Sequence, residues 1–363
     1  MRQKKLVLEL IFIFLVSSLA IGCVGEQVTE DYVEEQQTEL VKPEAEINLF
    51  TTYYDKIPSS VYNLYPKMDD SLVSYEITNN GEDDLDVTVS SEITGYTDKA
   101  VNIEQVSPGK TLVISQTPLF KPGVLDTLTE TKTVNLHFKV TYLEDSVEKV
   151  WDEQTIPIEL YAKDTLVWGV DSNGEYVDQS SYIVAWVTPH AKEIDELVRI
   201  AAEYTPDKTM GAAKTPEERC TQVNAIYNAL KNEYQITYIN SPISYTNGME
   251  SSQRVKLPKN AINLASANCI DGTVLFASAL ENVGIDPSII IVPGHAFIGW
   301  EDGKGNIEGA LETTMVGNSN FDDAYTYGID ELNEQIENGN FESGVSSAIS
   351  VKKCRALGIT PME

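Results

Sequence analysis

Between Cys269 and Val283 the chain is apolar on most sides of a helix, through Ile270, Val274, Leu275, Phe276, Ala279, Leu280 and Val283. A helix of that kind has no face to give to water, so it must lie at the centre of a folded unit with other elements wrapped round it. Asn268 caps its start, Gly284 ends it, and Pro287 stops any continuation. Strands are expected over 288–292 and 295–301, separated by Pro293-Gly294. A third is expected over 307–313, after the turn Asp302-Gly303-Lys304-Gly305.

The same stretch carries reactive side chains. Cys269 falls in the first helical turn, where unpaired backbone N–H groups and the positive end of the helix dipole favour a thiolate. With the hairpin loop centred on Gly303 and Lys304, His295 and Glu312 become cross-strand neighbours with Cβ atoms roughly 5 Å apart. That spacing suits a carboxylate holding an imidazole in one tautomer. A slip of one residue would put the two on opposite faces of the sheet. Together the three form a nucleophile, a base and an orienting group. A lone buried cysteine is ordinarily a small core hydrophobe, and a lone strand histidine is ordinarily structural. Economy favours chemistry here: the chain has three His, and one faces a carboxylate downstream of the helix-initial Cys. A zinc site on Cys269, His295 and Glu312 lacks any supporting CxxC, HxxxH or second His, so neither a metal nor another cofactor is expected.

Three segments resemble the transglutaminase-like branch of the papain-like cysteine protease superfamily. They are Asn268-Cys269-Ile270-Asp271, Pro293-Gly294-His295-Ala296-Phe297 and Leu311-Glu312-Thr313-Thr314, and Gln253-Arg254-Val255-Lys256-Leu257-Pro258 upstream is also similar to prokaryotic members. The resemblance covers roughly 186–327. It departs from the family pattern at Ala267, where many members carry Gly, and at Glu312, where Asp is commoner. It implies an α+β domain over 169–363 with Cys269, His295 and Glu312 as catalytic residues. The Cys269 N–H would supply one oxyanion donor, with Gln253 or Asn268 as candidates for a second.

Upstream, Arg2, Lys4 and Lys5 precede an apolar run over 10–21, then Gly22 and Cys23. This reads as a signal peptide over 1–23 with a lipobox, Cys23 being the lipidated residue and the membrane anchor of an exported chain. Residues 24–46 are acidic and without apolar periodicity, as expected of a flexible tether. Alternation at Val73, Tyr75 and Ile77, at Leu85, Val87 and Val89, and from Val134 to Tyr142 predicts an all-β immunoglobulin-like sandwich of about seven strands over 47–168. His137 falls on its outer face. Beyond it, Thr188-Pro189 is expected to open a helix with His190 in its first turn, and Thr215-Pro216-Glu217-Glu218 a second. Residues 235–257 are expected to be extended, as one wall of a cleft. A short helix is expected over 329–336 and a strand over 348–352. Cys220 and Cys354 are left to pair as a disulfide in an oxidising compartment.

A formal net charge of -30 offers no basic patch to nucleic acid and no attraction to an anionic membrane surface. The expected partner is a protein or peptide substrate, cleaved or transferred through a thioester. The alternative of a different class is a non-catalytic scaffold or adhesion protein that binds protein or envelope polymer. A solute receptor fits less well, because no repeated βα halves are visible.

Overall fold

The computed structural model describes residues 38–39, 47–68, 70–144, 146–172, 175–240, 243–245 and 251–362. The leader, the lipobox with Cys23 and most of the 24–46 tether lie outside them. The chain is a mixed α/β protein with several β-sheets.

Its first half supplies β1 (Thr38–Glu39), β2 (Ile47–Tyr53), β3 (Lys56–Ile57), β4 (Val73–Asn79), β5 (Leu85–Ile93), β6 (Ala100–Val106), β7 (Thr111–Gln116), β8 (Lys132–Glu144) and β9 (Val147–Leu160). One sheet runs β1-β2-β4-β7 and the other β3-β9-β8-β5-β6. Alternation puts Val73, Tyr75 and Ile77 on the inner face of the first sheet and Leu136, Phe138 and Val140 on that of the second, all essentially without exposure. The faces meet through Tyr75, whose ring packs edge-on to Phe138 and whose hydroxyl donates to the Ser90 carbonyl. His137 lies on the outer face, as expected, and is bonded to Thr155. One expectation changes: Thr38 and Glu39 of the tether pair with Thr51 and Phe50, because β2 would otherwise offer an unpaired edge there.

β10 (Thr165–Ser172) crosses the expected boundary at 168 and pairs with neither of those sheets. Its partners are β11 (Glu175–Asp178) and β13 (Ser251–Arg254). The next helices are α1 (Lys192–Ala201), α2 (Pro216–Asn232) and α3 (Pro258–Asn263). Thr188-Pro189-His190 precedes α1 as a turn rather than opening it, since the Ala191 N–H bonds the Thr188 carbonyl and the helical run starts only after that. α2 starts with the expected capping box of Thr215 and Glu218. Among the described residues of 235–257 there are two short strands, β12 (Thr237–Tyr238) and β13; β12 pairs in parallel with β14 (Ser266–Ala267).

The centre is α4 (Cys269–Asn282), in which every residue from Cys269 to Leu280 is buried. Against it lies a sheet ordered β17-β16-β15-β18, made of β15 (Pro287–Val292), β16 (His295–Glu301), β17 (Ile307–Leu311) and β18 (Ser347–Ser350). All six residues of β15 are buried, so this strand is apolar on both faces and reads as one unbroken run. Ile289, Ile291, Ala296 and Ile298 belong to the same core as α4. Ile290, Val292, Phe297 and Ala310 face the other way, onto Leu332 and Ile329 of α5 (Phe321–Glu337). This helix is 17 residues long rather than the short 329–336 piece expected. Asn320 caps it by accepting from Asp323 N, and Gly328 in its middle breaks the helical signal ahead of Ile329. The expected 348–352 strand ends at Ser350, which caps α6 (Val351–Ala356).

Gly328 is where α5 presses on β17. A Cβ there would stand 2.7 Å from the Leu311 nitrogen, and backbone cannot step aside. Gly328→Ala is expected to cost about 1–3 kcal/mol by overpacking, read as a lower urea midpoint with an unchanged slope. An unaltered midpoint would contradict this contact.

Candidate active site

The capping of α4 is tighter than the sequence reading required. The Asn268 side chain accepts from Asp271 N at 2.8 Å, and the Asp271 carboxylate accepts from Asn268 N at 3.1 Å. That carboxylate is 1% exposed. It also takes the Lys256 backbone N–H at 2.8 Å and its ammonium at 3.0 Å. The segment before α3 is thus tied to the first turn of the central helix by a charged pair with its hydrogen bonds satisfied. Lys256 is placed in turn from behind, since Trp186 Nε1 donates to the Val255 carbonyl.

Cys269 is the first residue of α4 and is 1% exposed. Its own carbonyl accepts from Thr273 Oγ1 at 2.8 Å. Across the sheet, His295 opens β16 with its ring about a quarter exposed, and Nε2 lies 2.6 Å from Glu312 Oε2. The imidazole also hydrogen-bonds Cys269. With Nε2 taken by the glutamate, the nitrogen left to face the sulfur is Nδ1. Burial alone would lower the imidazole pKa. The hydrogen bonds to Cys269 and Glu312, and then the charges of both, overcome it and raise the value from 6.5 to about 10. The sign for stability follows. A raised basic group contributes fully below its unfolded value of 6.5, and the contribution is lost as pH rises through about 10.

Glu312 reaches the histidine by a different route from the one expected. The pairs are Ile298 with Leu311, Gly299 with Ala310 and Trp300 with Gly309, followed by a bulge at Trp300/Glu301. The register is displaced by two residues, so Glu312 is diagonal to His295, not opposite it. Displacement by two keeps the face, which is why the pair still meets. β17 also stops at Leu311, and Glu312 caps a short 3-10 turn, Thr313–Met315. Its Oε1 accepts from Thr314 N at 2.8 Å and from Thr314 Oγ1 at 2.6 Å, so both oxygens of a nearly unexposed carboxylate are held. Gly272 lets this turn approach the Cys helix: a Cβ there would be 2.9 Å from Thr313 Oγ1.

The two second-donor candidates have other partners. Both are held through their amide oxygens, which leaves the donating role to the amide nitrogens: Gln253 Oε1 accepts from Trp168 Nε1 at 3.1 Å and Ser244 N at 2.7 Å, and Asn268 Oδ1 caps the helix. Tyr238 was not singled out by sequence. Pairing of β12 with β14 sets it beside Ala267, and it lines a crevice with Asn268 and Gly272. Its phenol is raised by burial first and then by the charges of Cys269 and Glu312. Of the residues described in 235–257, Ile236 and Tyr238 line this crevice. An open cavity of about 390 Å³ lies on the Glu312 side of the imidazole, lined by His295, Glu312, Thr314, Met315, Tyr327 and Glu331.

Cys220 and Cys354 are both free thiols, which overturns their pairing. Cys220 sits on α2 near Asp322 and Glu308, whereas Cys354 is buried in α6. Among the described residues no group of three or more His, Cys, Asp or Glu is placed to hold a metal. Comparison with protein-family models finds none that matches this chain, and comparison with curated proteins finds no match either.

Lys256→Met would leave the Asp271 carboxylate without its cation, two residues along the helix from Cys269. Alkylation of Cys269 by iodoacetamide near pH 6 is expected to slow several-fold, because an unmatched negative charge nearby disfavours a second one on the sulfur. Lys256→Met with Asp271→Asn should restore the rate. Equal rates in all three proteins would show that the pair is only structural.

Proposed function

We propose that the chain is a membrane-tethered, exported thiol hydrolase or peptidase with a transglutaminase-like catalytic domain, preceded by an immunoglobulin-like spacer and anchored through lipidated Cys23. The observation that carries this reading is the unbroken chain from Cys269 through both ring nitrogens of His295 to Glu312, with 2.6 Å between Nε2 and the carboxylate.

In this mechanism the Cys269 proton resides on His295 Nδ1, and the thiolate sulfur attacks an amide carbon. The electron pair of the carbonyl moves onto oxygen, where the Cys269 N–H at the helix start meets it. When the C–N bond breaks, its electron pair leaves with nitrogen and His295 gives that nitrogen the proton. A thioester remains on Cys269. Water then attacks, giving its proton to His295 and releasing the acid; an amine in place of water would make the reaction a transfer. Throughout, Glu312 holds the ring and balances the imidazolium.

A scaffold that binds without turnover is favoured by one observation, the 1% exposure of Cys269. Chemistry separates the two. In the enzyme, iodoacetamide labels Cys269 rapidly near pH 6, and the assistance from the protonated ring fades only as pH passes about 10. His295→Ala should lose most of that labelling, and Cys269→Ala all of it. Both variants should also lose about 10³-fold or more in amide turnover, because such residues act as a unit. Labelling that begins only above pH 8, indifferent to His295, would establish the scaffold.

A further inference from the structure

We infer that Tyr327 and Glu331 form a subsite for a cationic side chain, lysine or arginine, on the leaving-group side of the bond attacked. The inference builds on the acyl-transfer reading for that placement, while the binding it asserts does not depend on turnover.

Tyr327 and Glu331 are four residues apart on α5, so they share a face of the helix, and both line the cavity against His295. The charges there do not cancel. Glu312 is matched by His295 on one oxygen and by two Thr314 donors on the other. Glu331 is half-buried, and its Oε1 accepts from the neutral Gln335 amide at 2.9 Å. No ion pair to Glu331 is found among the described residues. The cavity lining therefore carries one carboxylate more than it has cations. Tyr327 is 55% exposed, which leaves a large ring in water beside that carboxylate. A ring face and a carboxylate side by side recognise a guanidinium or ammonium through cation–π attraction and a charge-assisted hydrogen bond. Met315 gives an apolar wall for the methylene stem of such a side chain. About 390 Å³ of open space accommodates it. An acidic side chain would meet Glu331 directly and be rejected. His295 Nδ1 gives its proton to the departing nitrogen at the Cys269 edge of the ring, and a side chain on that leaving part reaches past the imidazole into the cavity at its Glu312 edge.

The test uses the full chain carrying Cys269→Ala, with N-acetyl-argininamide and its uncharged isostere N-acetyl-citrullinamide as probes, followed by calorimetry and by the ring resonances of His295. The arginine probe should bind at least tenfold more tightly and shift the His295 signals. Glu331→Gln should abolish the preference, and Tyr327→Ala should reduce it several-fold, with melting temperatures unchanged. Equal affinity for the two probes, or a preference that survives Glu331→Gln, would overturn the subsite. Iodoacetamide labelling of Cys269 in the otherwise unaltered chain decides the acyl-transfer reading separately, so failure of one is not mistaken for failure of the other.

Discussion

The bond between His295 Nε2 and Glu312 Oε2 is the contact the rest of the site depends on. A carboxylate that is 2% exposed is costly to bury unless every oxygen has a donor. Here Thr314 satisfies one oxygen and the imidazole the other. The same bond turns the ring so that its second nitrogen faces Cys269. Removing Glu312 would therefore undo both the charge and the aim of the histidine. The surrounding backbone keeps the carboxylate where it is: the Glu312 N–H donates to the Ala324 carbonyl in the first turn of α5, and the 3-10 turn after it rests against Gly272 of the Cys helix.

The central helix is fixed at both ends by ion pairs rather than by packing alone. At its start Lys256 and Asp271 join it to the segment before α3. Near its end the Arg355 guanidinium of α6 binds the Glu281 carboxylate and also the Val184 and Val187 carbonyls. Arg254, next to Gln253, reaches the other way, to Asp164, Glu130 and the Thr129 carbonyl. These bonds tie β13 to the loops at the end of the first half. β13 and the first two sheets are thereby mechanically connected.

What the sequence reveals depends on the kind of signal. The apolar wheel of α4 and the unbroken Ile289-Ile290-Ile291 run announce a buried helix and a doubly covered strand, and both form as their patterns require. The period-2 runs of β4, β5 and β8 are equally plain. The hairpin register is not, because the loop is centred on Lys304, which shifts the count by one, and the bulge at Trp300/Glu301 shifts it by one more. α5 hides behind Gly328, a residue that weakens a helix in isolation and is required here by contact with Leu311. Asp271 is legible in hindsight as the fourth residue of a capping box, but its partner Lys256 lies 15 positions upstream and gives no local sign. Tyr238 is reached only through parallel pairing of two two-residue strands, a contact no periodicity encodes. Among the cysteines, elimination suggests a pair of Cys220 and Cys354, whereas the fold leaves both as free thiols on α2 and α6.

Between a sulfur and a carboxylate, the imidazole is held as a cation. Nitrogen-15 spectra of the His295 ring at pH 8 test it most directly. Two protonated nitrogens and a strongly deshielded Nε2 proton are expected, with loss of the cation only near pH 10. A neutral ring at pH 8 that titrates near 6.5 would contradict it.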